Sequence, residues 1–322
     1  MNVPVTIAVV SWNTRELLRA CLRSMEADHR EGLAEVWVLD NGSDDGSAAM
    51  VEADFPWVSL IASEVNLGFG PAVNAVAERA SGAWIAPANA DVELTPGAIG
   101  RLIAAGENDP RAAIIAPRLV MADGRTQHSV HAFPTIASTI LVNLSVERFS
   151  SELADRLCVI DHWDEGRRRR VDWAHGAFLL VRREAYDAVG GFDPDQWMYA
   201  EDLDLAWRLR KAGWATRYEP AATVRHAVSA STAKAWGDER ARRSMAASYA
   251  WMARRRGLLT TWSVAAISIT GALSRAGWYE LLARRGGADR REEAKAEAER
   301  WRWHAWLHRL GVRRPRSIFS AR

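Results

Sequence analysis

The chain has 322 residues, 48% hydrophobic and 25% charged, enough for one large globular domain with an appendage or for two modest domains. Its 42 basic and 40 acidic residues leave a net charge of +2, which excludes the overall footprint of a nucleic-acid binder, although the last quarter is rich in arginine. Cys21 and Cys158 are the only cysteines, so neither a disulfide framework nor a cysteine-ligated metal site is expected, and a reducing cytoplasm fits best.

Residues 1–6 lack the basic region and long apolar core of a signal peptide, and no stretch reaches the ~18 uninterrupted apolar residues of a membrane span. Residues 5–10 read as a first buried strand. Ser11-Trp12-Asn13-Thr14 breaks it before a helix with Leu17, Leu18, Cys21, Leu22 and Met25 on one face. Residues 36–39 form a second strand that ends in the polar turn Asp40-Asn41-Gly42-Ser43-Asp44-Asp45-Gly46-Ser47, and residues 58–62 form a third. Asn66-Leu67-Gly68-Phe69-Gly70-Pro71 then leads into a helix carrying Val73, Asn74, Val76 and Ala77, with Pro71 suited to open it and Ser81-Gly82 to end it.

The next apolar run, residues 84–88, stops at Asn89-Ala90-Asp91. Asp91 has two readings. An acid at the carboxyl end of a buried strand can hold a metal ion that in turn holds phosphate. Alternatively it starts the next helix, since Thr95-Pro96 has good capping chemistry. Strand and helix alternate as in a doubly wound α/β domain, so the polar turns converge on one sheet edge. A dehydrogenase is excluded, because Val73 replaces the third glycine of a dinucleotide fingerprint and the loop follows the third strand.

Beyond a helix over 96–105 and an apolar segment over 113–119, the pattern weakens between residues 120 and 170. The cluster Arg167-Arg168-Arg169-Arg170 is either a solvated face or a contact for an anion. Residues 171–181 read as a strand whose Gly176-Ala177 step lets the backbone approach something closely. A helix over 183–189 stops at Gly190-Gly191, and the aromatic loop Trp197-Met198-Tyr199 suits covering a ligand. Glu201-Asp202-Leu203-Asp204-Leu205 opens a helix, where acids complement the dipole or do chemistry. Short strands over 216–219 and 223–225 lead to His226.

Taken in order, Val10-Ser11-Trp12-Asn13, the Asp40 to Ser47 turn, Asn66-Leu67-Gly68-Phe69-Gly70 with Asn74, Asn89-Ala90-Asp91, Gly176-Ala177, Gly190-Gly191-Phe192-Asp193 and Glu201-Asp202-Leu203-Asp204-Leu205 with Arg208 resemble the inverting family 2 glycosyltransferases of GT-A fold, and among them the bacterial rhamnosyltransferase-like members. The resemblance covers roughly residues 5–256. It implies a Rossmann-like nucleotide-binding α/β fold with a mixed, mostly parallel sheet over residues 1–230, a nucleotide-sugar half to about residue 120, an acceptor half beyond it, and a helical extension over 231–322.

The resemblance also implies roles. Asp40 contacts the imide nitrogen of a uracil or thymine, and Ser11, Asn66, Gly68, Asn74 and Asn89 line the donor. Asp91 is the retained acid of the family's Asp-x-Asp motif and binds Mn²⁺ or Mg²⁺ across the donor diphosphate, with His226 completing the metal site. Asn89 departs from the motif and removes one carboxylate. Asp202 is the base that takes the acceptor proton. Trp197, Glu201 and Asp204 orient acceptor or loop, with Arg208 as an ion-pair partner. The expected donor is a nucleotide-diphosphate sugar, dTDP-rhamnose favoured, with UDP and GDP sugars open, and the expected acceptor is a lipid-linked or cell-surface polysaccharide. Two alternatives stay open: a nucleotidyltransferase, though Ser11-Trp12-Asn13-Thr14 lacks the glycine- and basic-rich loop it would need, and a decayed glycosyltransferase-like assembly partner, for which Asn89 speaks.

Residues 234–256 read as a basic helix. Residues 258–282 are the most apolar part of the tail, with Arg275 interrupting them and Trp262, Trp278 and Tyr279 near the ends. Trp301, Trp303, Trp306 and Leu307 lie among arginines and histidines. This arm suits the membrane interface at the inner face of a cell membrane, or packing against the catalytic domain or a second subunit in a homo-oligomer.

Overall fold

The computed structural model describes residues 3–196, 198–227, 239–285 and 288–313. It divides into two compact units. The first comprises Met1–Ala132 with Asp164–Gly237, and the second Phe133–Trp163 with Asp238–Arg322.

The first unit is built on β1 (Val5–Ser11), which runs parallel to β2 (Ala34–Asp40) on one side and to β4 (Trp84–Asn89) on the other. Val5, Ile7, Ala8 and Val9 have no exposed surface, as a central parallel strand covered on both faces requires. Parallel neighbours need crossovers, and α1 (Arg15–Arg30), α2 (Ser47–Asp54) and α3 (Phe69–Ala77) supply them, with β3 (Ser59–Ala62) at the sheet edge. The expected face of α1 is buried at Leu18, Cys21, Leu22 and Met25. Pro71 falls at the third residue of α3 rather than the first. Its missing N–H still costs no helical bond there, because the first four amides have no partner in the helix.

Asp91 is followed by β5 (Val92–Leu94), and α4 (Ala98–Glu107) begins only after that strand, not at residue 96. Gly97, at φ +75°, precedes the helix, while the Thr95 hydroxyl donates to Thr223 O at 2.7 Å. The helix-start reading of Asp91 therefore falls: it sits in a strand-to-strand turn.

Past β6 (Ala112–Val120) the sheet becomes mixed. The expected strand over 171–181 is three pieces instead: β8 (Arg169–Val171) on an edge, β9 (Trp173–Ala174) paired with β7 (Val130–His131), and β10 (Leu180–Arg182) inserted antiparallel between β4 and β6. α7 (Arg183–Ala188) and α8 (Glu201–Lys211) follow. The two short strands expected before His226 are one, β11 (Ala215–His226), with a register shift between Glu219 and Thr223. The basic cluster is partly structural: Arg168 pairs with Glu219, itself 2% exposed, and Arg170 with Asp109 at 2.7 Å.

The second unit contains α9 (Glu239–Arg256), α10 (Leu258–Arg285) and α11 (Ala288–Arg313). Residues 133–163, expected in the acceptor half, group with these helices and carry α5 (Ile136–Asn143) and α6 (Ser151–Arg156). The reason is local bonding. Arg275 of α10 donates to the carbonyls of Val142 and Asn143 and to Asn143 Oδ1, and Gly271 leaves room for the Asn143 carboxamide that a Cβ would overlap. Among the described residues no helix is long and apolar enough to cross a membrane.

Candidate functional site

The register Ser11↔Asp40 and Val10↔Asn89 brings the ends of β2, β1 and β4 side by side at one sheet edge. Asp40, 3% exposed, is held by Ser43, whose hydroxyl donates to Oδ1 at 2.6 Å and whose N–H donates to Oδ2 at 3.0 Å. That leaves each carboxylate oxygen further acceptor capacity. Ser11 is buried, with Oγ 3.1 Å from Thr14 Oγ1. Asn66 shapes its own loop by accepting the Gly68 N–H at 2.9 Å, and Gly68 stands at φ +86°, a backbone state that favours glycine. Asn41, not singled out from sequence, fastens that loop to β2 by accepting from Leu67 N–H and donating to Gly68 O.

At the β4–β5 turn, the antiparallel β5–β11 pairing sets His226 opposite Val92. Asp91 Oδ1 lies 3.3 Å from His226 Nε2, both side chains being 7% exposed. Nε2 has no hydrogen-bond partner, so the contact lacks the alignment a hydrogen bond needs. A buried imidazole nitrogen beside a carboxylate oxygen is a donor set for a cation once that nitrogen carries no proton. Two ligands on one ion with bonds of about 2.1 Å stand about 3.0–3.4 Å apart, which this pair matches. Among the described residues no three His, Cys, Asp or Glu side chains form a ready-made metal cluster, so the remaining ligands would be water, neutral oxygens or a substrate. The pair borders a cavity of about 440 Å³ whose walls include Leu17, Met121 and Gly124. The side chain of Asn89, half-buried at the end of β4, contributes at most a neutral oxygen. Cys21 is a core residue whose thiol donates to Asn89 O, and burial together with the Asp91 charge pushes its pKa up.

Residues 175–177 connect this edge to the second acidic motif. Asn89 N–H donates to Ala177 O at 2.9 Å, and Gly176 N–H donates to Asp202 Oδ2 at 2.9 Å. Asp202 Oδ1 accepts a second backbone N–H, that of Leu203, at 2.7 Å. The close approach expected at Gly176 is thus to Asp202, whose Cβ would lie 3.4 Å from an added Cβ. Burial pushes both Glu201 and Asp202 above the ordinary carboxylate range. The charge of Asp202 adds to the rise of Glu201, and the bonds from Gly176 and Leu203 offset part of the rise of Asp202. Glu201 Oε2 is buried without a hydrogen-bond partner.

Other residues of the expected set do structural work. Asp204, fully buried, pairs with Arg208 at 2.7 Å, and Arg208 also donates to Val189 O at 2.7 Å, tying α8 to the end of α7. Asn74, expected to line the donor, clamps the Gly191-Phe192 turn: it donates to Phe192 O and accepts from Phe192 N–H and from the Tyr186 hydroxyl. A Cβ on Gly191 would stand 2.6 Å from Asn74 Oδ1, which explains that glycine. Trp197 lies outside the described residues.

Sequence reasoning missed what stands behind His226. Its Nδ1 is 2.8 Å from Gln127 Oε1, Gln127 Nε2 is 3.5 Å from His175 Nδ1, and His175 Nε2 is 3.0 Å from His131 Nε2. Burial lowers the pKa of His175 to about 4, with the charges of His128 and His226 adding to it, and lowers that of His131 well below its ordinary value, so both rings are neutral near pH 7. The one available signal was that His175 immediately precedes the Gly176-Ala177 step.

The family model described as Glycosyl transferase family 2 matches residues 6–190, which include Asp40 and Asp91 but end before Asp202 and His226. An N-acetylglucosaminyl-diphospho-decaprenol L-rhamnosyltransferase of Mycobacterium tuberculosis is 35% identical over 210 residues, covering 62% of this chain and 68% of the relative. Among solved structures, the mannosyltransferase PcManGT from Pyrobaculum calidifontis in complex with GDP-Man and Mn²⁺ superposes with a TM-score of 0.62 at 17% identity, covering 98% of this chain and 87% of that one. GalNAc-T7 with UDP, GalNAc and Mn²⁺ gives a TM-score of 0.53 at 15% identity, covering 93% and 55%.

Proposed function

Since the chain belongs to glycosyl transferase family 2 and has the GT-A fold, we propose that this glycosyltransferase is metal-dependent and inverting, and that it moves rhamnose from a nucleotide diphosphate to a hydroxyl of a lipid-linked or cell-surface polysaccharide acceptor. The rhamnosyltransferase relative supports the sugar and the lipid-linked acceptor, and dTDP-rhamnose is the favoured donor. The observation that carries the reading is the run 175–177, which hydrogen-bonds Asn89 and Asp202 and, through His175 and Gln127, reaches His226. It links the end of β4, a carboxylate and the histidine that stands beside Asp91.

In this reading Asp40 accepts the imide N–H of the base while Ser43 fixes its carboxylate, and Ser11 and the Asn66 loop shape the nucleotide pocket. Asp91 and His226 would hold Mn²⁺ or Mg²⁺, which when bound neutralises charge on the departing diphosphate. Asp202 takes the acceptor proton as the hydroxyl oxygen attacks the anomeric carbon. The bond from that carbon to the diphosphate oxygen breaks, its electron pair leaves with the diphosphate, and the new glycosidic bond forms on the opposite face. The two N–H bonds hold the Asp202 carboxylate in place without spending all its lone pairs.

All exposed large hydrophobics among the described residues except Val65 lie in the second unit, Phe149 and Leu259 at 83% among them. Together with Arg284 and Arg285 at the end of α10, they support peripheral contact with an anionic membrane surface, where a lipid-linked acceptor would be presented.

The metal reading is tested by calorimetry of dTDP binding with and without Mn²⁺. The wild type is expected to bind more tightly with Mn²⁺, and Asp91→Ala to lose that increment together with transfer. A wild type fully active in excess chelator would refute it.

A further inference from the structure

The side chains behind His226 form a chain of hydrogen bonds that ends at a nitrogen with no partner. Gln127 Oε1 can only accept, so at 2.8 Å it calls for a proton on His226 Nδ1. Gln127 Nε2 can only donate, so at 3.5 Å it calls for a lone pair on His175 Nδ1 and leaves the proton of that neutral ring on Nε2. His175 Nε2–H then donates to His131 Nε2 at 3.0 Å. His175 is also held through its backbone, its N–H donating to Ser129 O at 2.8 Å, and the Gln127 N–H donates to Leu119 O at 2.8 Å. The chain is thus anchored to β6 and to the segment leading into β7.

Reversing the Gln127 carboxamide would put the proton on His226 Nε2. That nitrogen lies 3.3 Å from Asp91 Oδ1 outside hydrogen-bond alignment, which would strand a buried N–H at a cost of about 1–3 kcal/mol. The orientation with Oε1 toward His226 strands no proton. It points an imidazole lone pair into the same space as a carboxylate oxygen.

We infer that Gln127 and His175 are positioning residues that fix His226 in its Nδ1–H tautomer, so that Nε2 faces Asp91 as a lone-pair donor ready for a divalent cation. The inference rests on the metal reading for its purpose but not for its geometry. A ligand histidine gains when its other nitrogen is hydrogen-bonded, because ring orientation and tautomer are then set before the metal arrives, and loss of such a partner typically lowers metal affinity about 10–100-fold.

Two measurements on the full chain test it. Long-range ¹H–¹⁵N spectra of histidine-labelled protein in chelator, with the His226 signal assigned from a His226→Gln spectrum, are expected to show the proton on Nδ1. A proton on Nε2 overturns the inference. Paramagnetic titration with Mn²⁺ alone is expected to give about 10–100-fold weaker binding for Gln127→Leu, a smaller loss for His175→Phe, and near wild-type affinity for Gln127→Glu, which restores an acceptor for Nδ1–H. A folded Gln127→Leu protein binding Mn²⁺ as the wild type does also overturns it. Should the wild type bind no Mn²⁺, the metal reading fails while the tautomer is still decided by the spectrum. Should Gln127→Leu not fold, the wild-type spectrum and the Gln127→Glu and His175→Phe titrations still decide the matter.

Discussion

Replacing Asp202 by Asn separates the chemistry proposed for this carboxylate from its part in the fold. In the wild type Oδ1 accepts from Leu203 N–H at 2.7 Å and Oδ2 from Gly176 N–H at 2.9 Å. Asparagine keeps one acceptor and turns the other position into an NH₂ that faces a backbone N–H, so one donor loses its partner. The stability cost is about 1–3 kcal/mol. Removing a general base lowers the rate by roughly 10²–10⁴, or about 3–5 kcal/mol in the barrier. The variant is therefore expected to be folded, to melt a few degrees lower, to bind dTDP as the wild type does, and to transfer sugar at no more than about a hundredth of the wild-type rate. Single-turnover transfer, calorimetry of dTDP and thermal melts read the three quantities separately. Glu201→Gln is the control: it removes a buried acid whose Oε2 has no partner, and should cost little rate. Turnover near wild type in Asp202→Asn, or a larger loss in Glu201→Gln, would refute the assignment.

Further expectations concern pH, packing and membranes. Burial, reinforced by Glu31, raises the pKa of Asp28 to about 6, so its favourable contribution to folding is present below the ordinary carboxylate pKa of about 4 and is lost as pH rises through 6. Asp28→Asn should then be close to neutral at pH 4 and stabilising by roughly 1–3 kcal/mol at pH 7.5 in urea melts; an equal effect at both pH values would contradict the cause. Asn74→Ala should lower stability by roughly 2–4 kcal/mol, because Phe192 is fully buried and its N–H and carbonyl lose their partners. A folded Asn74→Ala protein that binds dTDP as the wild type does would remove Asn74 from the donor pocket. Phe149→Ser combined with Leu259→Ser should reduce flotation with anionic vesicles, and undiminished flotation would remove the membrane proposal.

The strands and turns of the first hundred residues were legible because β1 and β4 are buried on both faces, β2 is largely buried, and all three end in polar turns, so hydropathy and turn chemistry point the same way. Asp91 stood out as an acid in a small-residue turn at a strand end, and Asp202 as part of an acidic helix start after an aromatic loop that resembles the family's motif. The middle of the chain was harder to read. β10 is three residues long and pairs antiparallel with β4 and β6, and no local period announces a partner almost a hundred residues away. The grouping of 133–163 with the C-terminal helices depends on Arg275 reaching Asn143, which no window of sequence contains. Gln127 and His175 escaped for the same reason: each is an ordinary polar residue until the fold sets it behind His226. Asn74 was visible, but a carboxamide in a loop-to-helix motif serves a ligand or a neighbouring backbone equally well, and only the structure shows Phe192 on both of its ends.

The three consecutive residues His175, Gly176 and Ala177 each reach a different part of the constellation: a side chain toward Gln127, an amide to Asp202, a carbonyl to Asn89. Such a segment acts like a pin through several plates. Shifting it to improve one contact pulls on the other two, so the pair proposed to hold a metal and the carboxylate proposed as base cannot be tuned independently by changes there. The Gly176 amide proton, bonded to Asp202, is consequently a built-in gauge. Its protection from solvent exchange reports in one resonance whether the whole constellation is assembled, before any sugar is supplied.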